Sequence, residues 1–165
     1  MAREADRRLA PGEPRATRPY MPGYEEMFHE EMLPWSWAAQ ILDDARNYWF
    51  ASNRIDGPPH VMPVWGIWLD NTFCFSTAVT SKKAQNIAAD PHCTVTAETA
   101  DGQVILEGVA SIDSERTRAF LDRYTAKYNW PMAEEPFFAV TPTLAFGFPE
   151  TATGSRQGAT RWHFR

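Results

Sequence analysis

A serine and two lysines stand at the predicted start of a helix. The segment 73–77 has the aromatic and β-branched residues of a strand, and the segment 81–89 has the pattern of a helix that ends before Pro91. Lys82 and Lys83 fall in the first turn, where unpaired backbone N–H groups carry a partial positive charge. A phosphate group bound there would accept hydrogen bonds from those N–H groups and from both ammonium groups.

Hydroxyl groups flank the two lysines. Thr80 or Ser81 is the predicted N-cap of the helix, because a hydroxyl oxygen accepts the free N–H groups of a first turn. The hydroxyl of Thr77 precedes them by a few residues. These groups and the lysines form a candidate anion site. A second interpretation stays open, in which Lys82 and Lys83 are solvated surface residues near a helix start.

Composition and charge limit the classes of function. The chain has 165 residues with a net charge of −5, so it lacks the positive surface that nucleic-acid binding needs. Cys74 and Cys93 match no metal-ligand spacing and are interpreted as reduced, buried thiols. No apolar stretch is long enough to span a bilayer. We therefore expect a soluble, cytoplasmic protein with no metal site, no nucleic-acid partner and no membrane partner.

The amino-terminal residues differ from the rest of the chain. The segment 1–19 holds five arginines against three carboxylates and contains three prolines, with few apolar residues. Such a composition cannot bury enough apolar surface to fold. We expect a disordered tail over 1–22 and a single domain over 23–165. The basic tail can fold back on the acidic domain or cover a bound anionic ligand.

Hydrophobic periodicity predicts a mainly β domain. Turns at Asp70-Asn71 and at Asp101-Gly102 indicate hairpins, and Ser114 is the predicted cap of the last helix. The predicted strands are 48–52, 60–69, 73–77, 93–98, 103–112, 137–148 and 159–164, and the predicted helices are 35–46, 81–89 and 114–129. Consecutive hairpins with inserted helices favour an antiparallel sheet closed into a small barrel over a doubly wound parallel sheet.

Pro63 and Gly66 interrupt the apolar strand 60–69. Proline cannot donate to a strand ladder and glycine leaves a gap, so the backbone there can admit a flat ring. A barrel corner or a sheet edge needs the same residue types. The sequence does not separate these two interpretations.

The order of these elements resembles the pyridoxamine 5′-phosphate oxidase-like, FMN-binding split barrel family. The resemblance covers about residues 35–165. It is carried by Pro63-Val64-Trp65-Gly66, Phe75-Ser76-Thr77, Ser81-Lys82-Lys83 before Asp90-Pro91, the segment 103–108 and the closing segment 159–164. It implies an antiparallel split β-barrel of about seven strands and about three helices, and a homodimer with the cofactor at the interface.

The resemblance also implies roles for individual residues. The cofactor phosphate is expected at Ser81, Lys82 and Lys83, with Lys82 in place of the arginine of the family motif, which gives up the bidentate fork. Ser76 and Thr77 are expected near the phosphate and ribityl chain. The remaining implied cofactor-binding residues are Met62, Pro63, Val64 and Trp65 along the ring, Gln103 at a polar ring edge, from the second subunit, and Trp162, for which core or dimer packing is the alternative.

The implied activity is that of an oxidoreductase using FMN or the deazaflavin coenzyme F-420. Hydride would pass between the cofactor and a small conjugated or quinone-like compound, and no side chain is predicted to act as acid or base. Oxidation of pyridoxamine 5′-phosphate is less favoured, because the longer carboxyl-terminal part of those oxidases is missing. Deazaflavin is slightly preferred, since the arginines of segment 1–19 could cover its carboxylates. The alternative is a non-catalytic flavin or haem binder, with His60 and His163 as the candidate axial ligands.

Overall fold

The computed structural model describes residues 13–24, 31–150 and 157–165. These residues form three helices and eleven strands. The helices are α1 (Trp35–Asp44), α2 (Lys82–Ala89) and α3 (Thr117–Tyr128). The strands are β1 (Arg15–Thr17), β2 (Glu31–Met32), β3 (Tyr48–Asn53), β4 (Pro59–Val64), β5 (Gly66–Leu69), β6 (Thr72–Phe75), β7 (His92–Thr99), β8 (Gly102–Asp113), β9 (Phe137–Pro149), β10 (Gln157–Gly158) and β11 (Thr160–His163).

Nine of these strands form one antiparallel sheet in the order β1-β11-β9-β8-β7-β3-β4. Strand β6 joins the early part of β9, and β5 pairs with β6. The sheet curls without closing. Strands β4 and β5 are separated by a single residue, but β4 pairs with β3 and β5 pairs with β6, so the two strands do not pair with each other. This is a split barrel, which confirms the predicted mainly β fold with three helices.

The predicted strand 60–69 is divided at Trp65 into β4, which pairs with β3, and β5, which pairs with β6. A Cβ on Gly66 would lie 2.3 Å from the ring of Phe73 and 2.8 Å from the carbonyl oxygen of Cys74. The chain therefore turns at Trp65, and the glycine lets the Phe73 ring pack against the start of β5. The hairpin that follows is confirmed, with positive φ angles of 49° at Asp70 and 58° at Asn71.

The predicted tail contains a strand that the sequence analysis missed. Arg15–Thr17 forms β1, which pairs in antiparallel register with β11 and brings Ala16 against the core. The assignment of these three residues to a disordered tail was wrong, because an available edge strand supplies the hydrogen bonds that the segment cannot make by itself. Residues 1–12 of the predicted tail lie outside the described residues.

Helix α3 begins later than predicted. Its N-cap is Arg116, without a side-chain capping bond, and not Ser114. The carboxylate of Asp113 accepts the backbone N–H groups of Glu115 and Arg116 at 2.9 and 3.0 Å. A residue at the end of β8 thus satisfies the N–H groups that lead into the helix.

Two apolar clusters stabilise the fold. The larger fills the barrel, with the rings of Phe50 and Phe75 in contact at 4.8 Å between centroids, and α1 covers it through Ile41 and Leu42. The smaller lies under α3, where Phe120 stacks on Phe137 at 4.3 Å. Helix α2 packs on β3, which places its first turn near the edge of the sheet.

Candidate functional site

The first turn of α2 is built around the hydroxyl of Ser81, which is confirmed as the N-cap. Its oxygen accepts the backbone N–H of Ala84 at 3.2 Å and the hydroxyl of Thr77 at 3.1 Å. A hydroxyl accepts two hydrogen bonds and donates one. Both acceptor positions of Ser81 are therefore filled, and its own O–H remains to bind a third group.

The two lysines add positive charge to this turn. Lys82 is exposed and Lys83 is partly buried, and the first turn of α2 contains no acidic residue. Within the described parts of the chain, neither lysine forms an ion pair. The lysines therefore raise the potential of a helix end that is already positive.

A carboxylate near this site is held by another residue. Arg54 donates to Asp56 at 2.6 and 2.8 Å in the turn between β3 and β4. That hydrogen bond is the main reason that the pKa of Asp56 lies below its usual value, and the charge of Lys82 contributes further. Arg54 is the direct ion-pair partner of this carboxylate, and Lys82 interacts with it only through its charge, without an ion pair.

Hydrogen bonds fix α2 to the sheet. The amide of Asn86 donates to the buried hydroxyl of Ser52 at 3.0 Å, and the amide of Asn53 donates to Asp90 at 2.9 Å. The bond from Asn53 and a second from His92 lower the pKa of Asp90 to about 2. These bonds tie the second half of α2 and its C-cap to β3, whereas the first turn is held by the contacts of Ser81 with Thr77 and Ala84.

Strand β4 forms the edge of the sheet beside this helix. Val61 is 51% exposed and Met62 is 41% exposed, Pro63 is also exposed, and Val64 is buried. Pro63 lies opposite Trp49 on an edge strand, where its missing N–H breaks no ladder bond. This position accounts for the proline without a ligand. The ring-lining role of β4 stays a prediction.

His60 lies on β4 opposite Ser52, the residue that anchors α2. Its Nδ1 atom is buried and has no hydrogen-bond partner among the described residues. Ser76 and Thr77 follow β6 directly and are partly buried. The structure thus brings Thr77, in the loop after β6, into contact with Ser81 at the start of α2. Lys82 and Lys83 lie in the first turn of the same helix.

Gln103 and Trp162 lie elsewhere. Gln103 is opposite Glu98 near the β7–β8 turn, whereas α2 is tied to Ser52, which lies opposite Cys93 at the other end of β7. Trp162 is 1% exposed and packs edge-on against Trp35 in the core. Within one subunit, neither residue joins the α2 site.

A basic group at the β1–β11 edge was not predicted. Arg15 lies opposite His163 and Thr17 lies opposite Arg161, so the four side chains share one face of the sheet. The Thr17 hydroxyl oxygen accepts Nε–H of Arg161 at 3.0 Å and lies 3.1 Å from Nε2 of His163. Burial, then the charges of Arg161 and Arg15, lower the pKa of His163. The sequence predicted a strand over 159–164 and a basic segment over 1–19, but it contained no signal that Arg15 would pair with this strand.

An aromatic group on the surface was also missed as a unit. Trp65 stacks on Tyr128 at 4.7 Å with an angle of 7° between the rings, and its indole N–H donates to Asn47 at 3.1 Å. Trp130 meets Trp65 edge-on at 6.4 Å. Trp65 is therefore a fixed ring at the end of β4, partly open to solvent.

The described residues contain neither a candidate metal site nor a candidate membrane helix. No group of three or more histidine, cysteine, aspartate or glutamate side chains is arranged to hold a metal ion. No helix in the described part of the chain has the length and apolar character needed to cross a membrane.

Solved structures share this fold at low sequence identity. A conserved hypothetical protein from Mycobacterium tuberculosis aligns with a TM-score of 0.67 and 19% identity, over 76% of this chain and 91% of that chain. An F420 reductase aligns with a TM-score of 0.55 and 21% identity, over 64% and 93% of the two chains. A FAD-binding protein from Mesorhizobium loti aligns with a TM-score of 0.56 and 17% identity, over 79% and 95%. Similar structures also include haem-binding proteins.

The sequence itself identifies the family. No curated protein matches the chain. The family model described as pyridoxamine 5′-phosphate oxidase matches residues 37–144, which include β4, the first turn of α2 and most of β9. The chain belongs to the pyridoxamine 5′-phosphate oxidase family.

Proposed function

We propose that the protein is an oxidoreductase that holds a phosphate-bearing flavin, FMN or the deazaflavin coenzyme F-420, at the first turn of α2. One observation carries the proposal. Among the described residues, the O–H of Ser81 has no partner, and Lys82 and Lys83 in the same helix turn form no ion pair. The match to the pyridoxamine 5′-phosphate oxidase family and the similarity in fold to an F420 reductase support a redox cofactor.

The groups at this turn fit a phosphate. Free N–H groups of the helix, one hydroxyl donor and two ammonium groups would surround its oxygens. Lys82 binds as a point charge and not as a planar fork, so it tolerates several phosphate orientations. The hydrogen bonds of Ser81 to Thr77 and Ala84 keep this turn formed before the ligand arrives.

A bound flavin or deazaflavin would supply the hydride chemistry. The residues of this chain would bind and orient the cofactor and exclude water from it. The exposed apolar side chains of β4 lie on both faces of this edge strand, with Val61 and Pro63 on the face of Trp49 and Met62 on the opposite face, and we propose that a flat ring lies along the strand. The substrate that we propose is a small conjugated or quinone-like compound, whose flat ring can stack at van der Waals distance.

We propose a homodimer, in which the partner supplies Gln103. Within one subunit this residue is at the far end of β7 from α2. The outer face of the sheet also carries a row of apolar side chains, with Trp49 54% exposed and Ile105 opposite Phe146. A second copy on this face would cover that row. The free thiols Cys74 and Cys93 agree with the reducing, cytoplasmic location that we propose.

The basic group at β1–β11 supports deazaflavin over FMN. Arg15, Arg161 and His163 lie on one face, and the structure shows no ion pair for them within its described residues. Carboxylates in the tail of the deazaflavin coenzyme would complement these groups, whereas FMN has no such tail. Arg15 belongs to the segment that the sequence analysis assigned to this role.

A carrier of flavin or haem is the second candidate. His163 is less suited to bind a haem iron, because its Nε2 lies 3.1 Å from the Thr17 hydroxyl oxygen. The Nδ1 atom of His60 has no hydrogen-bond partner among the described residues. Of the two candidate axial ligands, His60 is therefore the one that we retain. Turnover distinguishes these classes, because a catalyst accelerates substrate reduction by the reduced cofactor and a carrier only binds the cofactor.

Fluorescence titration with FMN and with the deazaflavin coenzyme tests the proposal. The Lys82→Ala/Lys83→Ala variant should weaken binding by at least about tenfold per lysine, since a charged hydrogen bond contributes about 1.5–3 kcal/mol. Arg118→Ala is the matched control, because its side chain is 80% exposed on α3. Equal affinity of the double variant and the wild type would contradict the phosphate site. Failure to bind either cofactor would contradict the redox function.

A further inference from the structure

Three aromatic rings and an arginine form a surface group that we call the aromatic corner: Arg46, Trp65, Tyr128 and Trp130. Trp130 is 58% exposed and Trp65 is 37% exposed, although indole rings are usually covered. Contiguous exposed apolar surface of this kind marks binding sites more often than isolated exposed residues do.

The rings are held in fixed orientations. Tyr128 covers one face of Trp65, and the hydroxyl of Tyr128 donates to the carbonyl oxygen of Gly66 at 2.7 Å. Asn47 accepts the indole N–H of Trp65. Trp130 stands at 75° to Trp65. Two exposed indoles thus meet nearly at a right angle, which is a surface that matches a planar ring and its edge.

The guanidinium of Arg46 lies beside this surface. Its central carbon is 5.7 Å from the centroid of Trp65 and 5.5 Å from that of Tyr128. Because the two distances are nearly equal, the guanidinium lies at the edge of the stacked pair and does not cover the outer face of Trp65. Trp65 is 37% exposed, so part of its ring remains open to solvent beside Trp130.

No carboxylate neutralises Arg46 among the described residues. The two acidic residues at the end of α1 have other partners, since Asp43 accepts from Arg123 at 2.9 Å and Asp44 accepts from Gln40 at 2.8 Å. A guanidinium without a counter-ion presents a planar fork of donors, which suits a carboxylate.

We propose that the aromatic corner binds a planar aromatic carboxylate, with the ring on the indoles of Trp65 and Trp130 and the carboxylate on Arg46. This inference rests on the proposed function and names its substrate class. Trp65 directly follows β4, the strand that we propose lies along the cofactor ring. A ligand in the corner would therefore lie next to the ring with which it exchanges hydride.

Titration of the cofactor-free, isotope-labelled chain with naphthoate tests the inference through the indole N–H resonances. The chain has seven tryptophans, so the variants Trp65→Phe, Trp130→Phe and Trp162→Phe assign the three signals that the test compares. Naphthoate should shift the signals of Trp65 and Trp130 and leave that of buried Trp162 unchanged. Naphthylmethanol, planar and uncharged, and cyclohexanecarboxylate, charged and not planar, should bind at least fivefold more weakly than naphthoate.

Two variants separate the contributions. Arg46→Gln should weaken naphthoate at least fivefold and leave naphthylmethanol unchanged, and Trp130→Ala should weaken both. Arg118→Gln is the control. Absence of a shift at either indole would overturn the proposal, as would a dimer that dissociates on Trp130→Ala, because the corner would then be a protein interface. Since no cofactor is present, the Lys82→Ala/Lys83→Ala variant should bind naphthoate normally, so failure of the phosphate site is seen separately.

Discussion

The hydroxyl of Thr77 donates to the hydroxyl oxygen of Ser81 across 3.1 Å, while the same oxygen caps α2 by accepting the N–H of Ala84. One oxygen atom thus joins the loop after β6 to the start of the helix. The arrangement also directs the remaining hydrogen of Ser81 away from both partners. Ser81 caps the helix, and we propose that its free O–H has the separate task of donating to an anion.

Ser81→Asp should separate these tasks. Aspartate is as good an N-cap as serine and its charge suits the positive helix end, so we expect the free energy of unfolding to stay within about 1 kcal/mol of the wild type. FMN affinity should nevertheless fall, because a carboxylate repels the phosphate and cannot donate. Urea unfolding and fluorescence titration measure the two quantities. Wild-type affinity in this variant would remove Ser81 from the phosphate site.

Local signals in the sequence were sufficient where one segment determines its own structure. Ser81 and Pro91 bracket α2, and Asp70-Asn71 forms the predicted hairpin turn. At both places, the interactions that fix the structure join residues close together in sequence. The pattern of apolar residues predicted a mainly β barrel, whereas its split form was implied by the resemblance to the family.

Features that depend on distant partners could not be predicted. Strand β6 joins the sheet through β9, where Phe73 lies opposite Val140. Strand β1 forms because β11 is available, and its contact between Thr17 and His163 joins residues 146 positions apart. The aromatic corner draws its members from three separate segments. Periodicity describes a face of one element but not what packs on it.

Gly66→Ala should destabilise the fold. Its Cβ would lie within 2.5 Å of two atoms of the Phe73 ring, and overpacking of this kind typically costs about 1–3 kcal/mol. Urea unfolding measures the loss. Phe73→Leu removes the clashing ring edge, so the double variant should be more stable than the sum of the two single effects predicts. Strict additivity would show that the ring of Phe73 does not impose the glycine.

Two truncations should distinguish the roles of the amino-terminal segment. Removal of residues 1–12 keeps β1, whereas removal of residues 1–17 deletes it along with Arg15. We expect only the longer truncation to lower the affinity for the deazaflavin coenzyme, because Arg15 lies beside Arg161 and His163. The affinity for FMN should be unchanged in both. Unchanged deazaflavin affinity after the longer truncation would remove the support for a carboxylate-binding role.

Lys127 should make stability depend on pH in a defined window. Its ammonium group donates to the hydroxyl of Tyr48 at 2.7 Å and to the carbonyl oxygen of Asp43 at 2.8 Å. Burial is the main reason that its pKa falls from 10.5 to about 8. Between these values the unfolded chain holds a proton that the folded chain has lost, so the contribution of Lys127 to stability rises with pH.

Lys127→Met isolates that contribution. Tyrosine and cysteine side chains also titrate at high pH, but they do so in the wild type and in the variant, so the difference in unfolding free energy cancels them. We expect this difference to shift in favour of the wild type as the pH rises from about 8 to 10.5, and to stay constant below this range. Urea unfolding at several pH values measures it. A difference that is flat across the window would mean that the folded chain keeps the proton on Lys127, with the hydrogen bonds to Tyr48 and Asp43 compensating for burial.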